Sequence, residues 1–233
     1  MASALVLSGG VGRRMNANVP KQYIEVSGKP IIIYTLEKMQ ASEVIDSIYI
    51  VVAIDKLQYL EELVARYNID KVRGYANAGS SRQVSILNGL LKMKKDGVGD
   101  EEIVLIHDSV RPLVSLELIQ RCVDQCVGAD GVMPVLSVKD TMYLCKDNQI
   151  NCLLDRSTIY SGQSPEAFIF GKYFKINVET SVDELDKVKG SSEMAFKNGL
   201  LVKTICGDEN NYKITTPNDL ERFILAVNNN ESL

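Results

Sequence analysis

The chain has 233 residues, of which 45% are hydrophobic and 24% are charged, and its formal net charge at pH 7 is −4. This composition predicts one large globular domain spanning residues 1–233. It excludes the overall basic field that is typical of proteins that bind nucleic acids or anionic membranes. The apolar runs are too short to cross a bilayer and the N-terminus has no signal-peptide pattern, so we expect a cytoplasmic protein.

Apolar runs typical of buried strands alternate with helical patterns in the first half of the chain. The strand-like runs cover residues 4–7, 45–53, 71–75 and 103–106. The helical patterns cover residues 31–39, 57–67, 81–93 and 116–126. This alternation predicts an α/β fold with a parallel sheet and right-handed crossovers. In such sheets, ligands bind at the carboxyl ends of the strands.

A glycine-rich loop follows the first strand directly. It reads LSGGVGRRM over residues 7–15 and closes at PKQ over residues 20–22. Its glycines allow backbone N–H groups to converge on phosphate oxygens, and Arg13, Arg14 and Lys21 add positive charge. The loop lacks the Lys-Ser/Thr of a Walker loop and the third glycine of a dinucleotide fingerprint. It therefore predicts a triphosphate site, and the alternative is a plain turn at the strand exit.

Two more segments follow predicted strands and should meet this loop over one site. The first, GSSR at residues 79–82, opens a helix that Ser80 or Ser81 can cap, and that helix N-terminus could hold a ribose or a base. The second, HDSVRP, covers residues 107–112. Asp108 could accept hydrogen bonds from hydroxyls or help to hold Mg²⁺, and Arg111 could hold a phosphate. The alternative is a local Asp–Arg ion pair.

A β-hairpin is predicted at about residues 138–160, broken by Asp147 and Asn148. A long hairpin that leaves the core cannot bury both of its faces alone, so a partner subunit is favoured over a hairpin folded back on its own domain. Arg156, near its end, either reaches into the neighbouring subunit's site or is only solvated.

The last third predicts helices near residues 174–178 and Glu193, a strand at 201–206 and a final helix at 217–227. Thr216 would cap the final helix and Pro217 would occupy its first position. Lys213 is expected on a short strand just before this helix, either pointing at a ligand or lying on the surface.

Cysteine and histidine usage limits the chemistry. The chain has no C-x-x-C pair and a single histidine, His107, so a zinc site and a Ser-His-Asp triad are both disfavoured. We expect the cysteines to be buried free thiols. They are Cys122, Cys126, Cys145, Cys152 and Cys206.

Six segments, taken in order, resemble one family. They read LSGGVGRRM with PKQ, GSSRQVS, HDSVRP, VKDTM, LDRSTIYSGQSP and NNYKITTPNDL. Over nearly its whole length the chain resembles the cytidylyltransferases that act on 2-C-methyl-D-erythritol 4-phosphate and on ribitol 5-phosphate. The resemblance implies a Rossmann-like three-layer α/β/α nucleotidyltransferase fold with a protruding β-arm. It also implies transfer of CMP from CTP to a polyol phosphate, Mg²⁺ bound chiefly through the CTP phosphates, and a homodimer formed through the arm.

The resemblance also implies roles for individual residues. The catalytic residues would be Arg14, Lys21 and Lys213. The nucleotide would be bound by Leu7, Ser8, Gly9, Gly10, Gly12, Ala78, Gly79, Ser80 and Ser85. The acceptor would be bound by Asp108, Arg111, Thr141, Ser164, Ser191 and, from the other subunit, Arg156. Asp108 is in addition a weak metal ligand candidate.

The family that the chain resembles includes enzymes that act on two different acceptors. HDSVRP and YSGQSP look closer to the ribitol phosphate branch, so we expect ribitol 5-phosphate, with methylerythritol 4-phosphate as the alternative. Glu166 stands where the methylerythritol pattern has Gln, and Ser192 stands where it has Asp, which is expected to remove a charge near the acceptor pocket. Ser80 stands where an acid is usual.

Two other classes of protein are disfavoured. A nucleotide-binding scaffold without catalysis would keep the fold but lose the cations, whereas Arg14, Lys21 and Lys213 are all present. An NAD-dependent dehydrogenase would need the third loop glycine and an acidic residue at the end of the second strand.

Overall fold

The computed structural model describes residues 1–10 and 19–229. The strands in these ranges are β1 (Ala2–Ser8), β2 (Glu25–Val26), β3 (Lys29–Pro30), β4 (Ile45–Val52), β5 (Val72–Asn77), β6 (Ile103–Asp108), β7 (Gly131–Ser137), β8 (Met142–Lys146), β9 (Gln149–Leu154), β10 (Tyr160–Gly162), β11 (Glu166–Ile169) and β12 (Val202–Cys206). The helices are α1 (Ile31–Ala41), α2 (Leu57–Arg66), α3 (Arg82–Lys95), α4 (Leu116–Asp124), α5 (Phe170–Glu179), α6 (Val182–Leu185), α7 (Ser191–Lys197) and α8 (Pro217–Asn228).

Eight strands form a central sheet in the order β10-β7-β11-β6-β1-β4-β5, with β12 paired to β7. β1 runs parallel to both of its neighbours, β4 and β6. β11 runs antiparallel between β6 and β7, and β10 is antiparallel to β7. The parallel sheet predicted from the first half of the chain is therefore confirmed, and the second half adds the antiparallel strands β10 and β11 together with β12, which is parallel to β7. A parallel connection needs a long crossover, usually a helix, and residues 138–165 contain no α-helix.

The register of the central strands places the two predicted site segments side by side. Leu7, near the end of β1, is paired with Asp108 at the end of β6. The backbone N–H of Ser109 donates to the Leu7 carbonyl at 3.1 Å, which extends this pairing past the strand. The loop after β1 and the HDSVRP segment therefore share one edge of the sheet, as predicted.

Helices cover both faces of the sheet and bury a core on each. One core includes Leu36 from α1 and Leu118 from α4. The other includes Leu90 from α3 and Tyr173 from α5. Fully burying a side chain of this size stabilises the fold by about 1.5–3 kcal/mol. The two cores confirm the predicted three-layer α/β/α architecture.

The C-terminal helix α8 fixes the segment that carries Lys213. Thr216 and Asp219 form a capping box at its start, and Pro217 occupies its first turn, as predicted. Phe223 packs edge-to-face on Tyr34 of α1 with ring centroids 5.2 Å apart. Ile214 is buried in the same cluster. No strand forms at Lys213, so that prediction is wrong. The segment is instead held by the backbone N–H of Ile214, which donates to the carbonyl of Val110 in the loop after β6 at 2.9 Å.

β8 and β9 form the predicted hairpin as a separate two-stranded sheet, here called the arm. Its turn holds Asp147 and Asn148 at φ values of 52° and 62°, the left-handed conformation that a two-residue hairpin turn requires. Leu144, Ile150 and Leu153 of the arm are exposed in the single chain.

The prediction of buried cysteines is confirmed for Cys122 and Cys126 and wrong for the other three. Cys145 and Cys152 lie on the arm, and Cys206 lies on β12, where the sheet leaves side chains exposed. None of the helices in the described part of the chain is long and apolar enough to span a membrane.

Candidate active site

Two cavities meet above the carboxyl ends of β1 and β6. The first, which we name the glycine-loop cavity, has a volume of about 520 Å³ and is lined by residues that include Leu7, Gly9, Gly10, Lys21, Gly79, Ser80 and Ser85. The second, the serine cavity, has a volume of about 570 Å³ and is lined by residues that include Arg111, Gln163, Ser164, Glu166 and Ser192. Arg82, Asp108 and Lys213 line both cavities and form their common wall.

The start of the glycine loop is held in place by a buried glutamine. Gln22 donates from Nε2 to the carbonyls of Ser8 and Gly10 at 2.8 and 2.9 Å. A Cβ atom on Gly9 would lie 2.4 Å from Cβ of Ala78, so only glycine fits at this position. Ser8 is buried, and of the predicted nucleotide residues it and Ala78 are the two described ones that do not line the cavity.

Three residues of the predicted triphosphate site lie outside the described residues. Gly12, Arg13 and Arg14 belong to residues 11–18, which the structure does not describe. Their assignment to the triphosphate site stays a prediction.

The opposite wall of the glycine-loop cavity is the start of α3. Ser81 caps this helix by accepting from Val84 N–H at 3.2 Å, one of the two caps that the sequence allowed. Ser85 Oγ accepts from Gly79 N–H at 2.9 Å and donates to the Ser81 carbonyl at 2.8 Å. The other candidate cap, Ser80, instead donates to Asp186 at 2.7 Å. These bonds shape a concave, polar wall that faces the loop.

Two lysines that lie far apart in the sequence meet beside the segment that precedes α8. Lys21 donates from Nζ to the Ile214 carbonyl at 2.8 Å and lines the glycine-loop cavity. Lys213, the preceding residue, places Nζ 3.1 Å from Oδ2 of Asp108. The structure therefore brings together two of the three residues predicted to be catalytic.

Asp108 lies at the centre of the common wall and is surrounded by cations. In addition to Lys213, Arg82 Nε lies 3.6 Å from Oδ1, and Arg111 Nε lies 3.5 Å from Oδ2. Burial alone would raise the pKa of Asp108, but Lys213, Arg82 and Arg111 outweigh it and hold the pKa well below its usual range. Asp108 is therefore ionised at neutral pH. The Asp–Arg ion pair offered as an alternative does exist, within a larger network.

Arg82 connects the common wall to the serine cavity, and the sequence did not single it out as a site residue. Its Nη2 lies 3.5 Å from Oε1 of Glu166, and its Nη1 donates to Ser191 Oγ at 2.6 Å. Burial disfavours its charge, but Asp108 and Glu166 outweigh this and raise the pKa of Arg82. The available signal was its position directly after the cap of α3.

His107 is buried and holds neighbouring groups in place by hydrogen bonds, and it is not placed to act as a catalytic base. Burial lowers its pKa to about 4, so the ring is neutral at pH 7. Its Nε2 lies 3.2 Å from the Arg111 carbonyl, which can only accept, so Nε2 carries the proton. Nδ1 then accepts from Ser164 Oγ at 3.2 Å. Ser164 Oγ in turn accepts from Asp108 N–H at 3.2 Å. This chain fixes the orientation of the predicted acceptor residue Ser164.

The two serines at the start of α7 have different roles. Ser191 is fully buried and meets Arg82, so the predicted acceptor residue lies behind the cavity wall. Ser192 lines the serine cavity instead. Its N–H and Oγ both donate to Oε2 of Glu166, at 2.8 and 2.5 Å. The cavity thus keeps a carboxylate beside position 192, where a loss of charge was expected.

Thr141 and Arg156, predicted to bind the acceptor, lie outside both cavities of their own chain. Both are exposed and flank the arm. Arg156 donates from Nη1 to the Lys139 carbonyl at 2.6 Å. Their role across a subunit interface stays a prediction.

The described residues offer few side chains that could hold a metal ion. Residues 1–10 and 19–229 contain no group of three His, Cys, Asp or Glu side chains placed to hold one. Asp108 is a carboxylate at the edge of the glycine-loop cavity, but three cations already surround it.

Comparison with known proteins identifies relatives that cover the whole described fold. A family model described as IspD, 2-C-methyl-D-erythritol 4-phosphate cytidylyltransferase, matches residues 2–227. An enzyme of that name from Geobacter metallireducens is 34% identical, over 95% of this chain and 96% of the relative. A ribitol-5-phosphate cytidylyltransferase from Streptococcus agalactiae is also 34% identical, over 96% of this chain and 94% of the relative.

Solved structures agree with the fold. A 4-diphosphocytidyl-2C-methyl-D-erythritol synthase from Anaerococcus prevotii superimposes with a TM-score of 0.80 at 25% identity, covering 97% of this chain and 96% of that one.

Proposed function

Because the chain belongs to the IspD family of cytidylyltransferases, we propose that it transfers CMP from CTP to ribitol 5-phosphate, releasing pyrophosphate and forming CDP-ribitol. The observation that carries this proposal is the pair of cavities that meet at Arg82, Asp108 and Lys213. A transfer between two bound phosphates needs two adjoining sites with cations at their junction.

CTP is assigned to the glycine-loop cavity. Gly10 leaves open space at the backbone for phosphate oxygens, Gly9 allows the loop to pack closely against Ala78, and Lys21 adds positive charge to the same cavity. Gly79 and Ser85 form a polar wall that suits a ribose or a base, as the resemblance implies for this position.

The acceptor is assigned to the serine cavity, with its phosphate at the common wall. One of its phosphate oxygens forms the new bond to the α-phosphorus of CTP, and the bond from that phosphorus to the bridging oxygen breaks, so pyrophosphate leaves. The attacking oxygen is already ionised near pH 7, so no general base is required. Lys213 and Arg82 lie where they stabilise the charge that builds on the transferred phosphoryl group.

Mg²⁺ is proposed as the accompanying ion. When bound, it neutralises charge on the triphosphate. Asp108 is the side chain that would contribute to holding it, and the rest of its coordination would come from the nucleotide. Arg82, Lys213 and Arg111 set the position of Asp108 in either case.

Ribitol 5-phosphate is preferred to methylerythritol 4-phosphate as acceptor because of the polar groups that line one part of the serine cavity. Ser164, Ser192 and Glu166 present hydroxyl and carboxylate groups there. These groups suit the longer, unbranched chain of ribitol 5-phosphate, which carries a hydroxyl on every carbon except the phosphorylated one, better than a shorter chain that carries a methyl branch. The relatives bear both names at equal identity, so the acceptor has to be tested directly.

A homodimer formed through the arm is part of the proposal. An isolated two-stranded hairpin is marginally stable, and here Leu144, Ile150 and Leu153 are at least half exposed. A partner subunit would cover them and would receive Arg156. We expect Ile150→Asp to produce monomers in light-scattering measurements, with Ile54→Asp, an equally exposed isoleucine on the body of the domain, as the control. Monomeric wild-type protein would contradict the dimer.

The acceptor proposal is tested by pyrophosphate release with CTP and Mg²⁺ against both acceptors. We expect kcat/KM for ribitol 5-phosphate to exceed that for 2-C-methyl-D-erythritol 4-phosphate. The reverse order would replace the proposed acceptor with the alternative. Absence of release with either acceptor would overturn the proposed CMP transfer to these polyol phosphates.

A further inference from the structure

Glu166 lines the serine cavity, and no step of the proposed CMP transfer involves it directly. It begins β11, opposite Ile106 of β6, and the residue is 7% exposed. A buried carboxylate is costly unless it is paired or hydrogen-bonded, so its retention there needs a reason.

One oxygen of this carboxylate is fully occupied. Oε2 accepts from both the backbone N–H and the hydroxyl of Ser192, at 2.8 and 2.5 Å. These two bonds hold the carboxylate in a fixed orientation at the cavity wall. Because the Ser192 hydroxyl has a single proton and donates it to Glu166, this hydroxyl cannot also donate to a ligand.

The other oxygen keeps capacity to accept hydrogen bonds. Among the described residues, Oε1 contacts Arg82 Nη2 at 3.5 Å, which is longer than a good hydrogen bond. The Arg82 guanidinium lies between two acids, because its Nε faces Asp108 and its Nη2 faces Glu166. Moving from the common wall into the serine cavity, a bound molecule passes Arg82 and then reaches Glu166.

This order of charges orients the acceptor. A phosphate is attracted to the wall where Lys213, Arg111 and Arg82 converge, and it is repelled by Glu166. A neutral, hydroxylated tail can instead donate hydrogen bonds to Oε1. A tail that ends in a second anion meets the carboxylate and is rejected.

We propose that Glu166, held by Ser192, is the specificity-determining residue that binds the hydroxyl tail of the acceptor and excludes acceptors with an acidic tail. The inference rests on the proposed function and goes beyond it by naming the side chain that recognises the hydroxyl tail of the acceptor. Glu166 contacts the tail and not the reacting phosphate. Its loss is therefore expected to affect the KM for the acceptor more than kcat or the KM for CTP.

The test compares two acceptors of equal length, ribitol 5-phosphate and ribonate 5-phosphate, whose tails end in a hydroxyl and in a carboxylate. We expect wild-type kcat/KM to favour ribitol 5-phosphate by at least ~10²-fold, as a like-charge contact at a buried site predicts. Glu166→Gln should raise the KM for ribitol 5-phosphate about 10-fold, the scale of one hydrogen bond to a charged group. The same variant should improve the use of ribonate 5-phosphate, a gain that damage to the fold would not produce.

Two further variants separate recognition from structure. The double variant Glu166→Gln with Ser192→Asp transfers the carboxylate from position 166 to its hydrogen-bonded neighbour at position 192. We expect this double variant to restore discrimination against ribonate 5-phosphate. Glu179→Gln removes an exposed carboxylate on α5 and should change neither KM nor selectivity. An unchanged ratio of the two acceptors in Glu166→Gln overturns this inference alone. Failure of the wild type to use any polyol phosphate overturns it together with the proposed function.

Discussion

The glycine-loop cavity and the serine cavity share one wall but are built by different means. The first is shaped mainly by backbone: a glycine loop held by Gln22, and the start of α3 held by Ser85. The second is shaped by side chains from distant parts of the chain, in which Arg82 joins Asp108 to Glu166. A backbone cradle suits a triphosphate that many enzymes share, whereas a side-chain network can be altered residue by residue to suit one acceptor.

The largest expected effect comes from the residue that both cavities share. Lys213→Ala removes a cation 3.1 Å from Asp108 at the junction, so we expect kcat to fall by about 10³-fold, at the upper end for loss of one transition-state contact. Steady-state kinetics with both substrates measures this. Lys203→Ala on β12 is the control, because Lys203 is an exposed lysine that lines neither cavity. A fall of less than 10-fold would remove Lys213 from the reaction.

A smaller effect, confined to the backbone-built side, is expected at Lys21. Lys21→Ala removes a cation from the glycine-loop cavity, and we expect turnover to fall by at least ~10²-fold. Lys29→Ala serves as the matched control, since Lys29 pairs with Glu37 away from both cavities. An unimpaired Lys21 variant would show that the triphosphate does not depend on this side of the loop.

The network behind the serine cavity should appear in the pH dependence of stability. His107 is the only histidine, with a folded-state pKa of about 4 against 6.5 in the unfolded chain. Between these two pKa values the unfolded state binds more protons than the folded state. The contribution of neutral His107 to the free energy of unfolding is therefore fully present above pH 6.5 and is lost as the pH falls towards 4. From pH 7 to pH 5, urea unfolding should show a loss of about 2 kcal/mol in the wild type that is absent in His107→Gln. Equal losses in the two proteins would contradict a buried neutral imidazole.

The smallest effect is expected from the arm. Arg156→Ala should raise the KM for the acceptor about 10-fold and leave the KM for CTP nearly unchanged, because Arg156 lies outside both cavities of its own chain. Lys146→Ala on the same arm provides the comparison. Equal changes in both KM values would argue against a role for Arg156 restricted to the acceptor.

The contrast between the two cavities also explains what the sequence could predict. The strand and helix patterns, the arm and the Thr216 cap follow from local periodicity and turn chemistry, and the structure confirms them. Gly9 and Lys21 could be placed together because they belong to one short loop segment, whereas Leu7 was assigned through the family resemblance; all three line the glycine-loop cavity.

The side-chain network around Arg82 could not be predicted from the sequence. Arg82 meets Asp108, Glu166 and Ser191, which are 26 to 109 positions away, and no local pattern records such pairs. Ser191 and Ser192 differ by a single position, yet one lies behind the wall and the other lines the cavity. The charge expected to be lost at Ser192 is retained by Glu166, which only the fold brings alongside it.

Phosphorus NMR of CTP and ribitol 5-phosphate with Mg²⁺ and the enzyme tests the central claim most directly. The account predicts that the α-phosphorus of CTP moves into a diphosphate diester while pyrophosphate appears in equal amount. Formation of CMP and pyrophosphate without the diester, or no reaction at all, would contradict it.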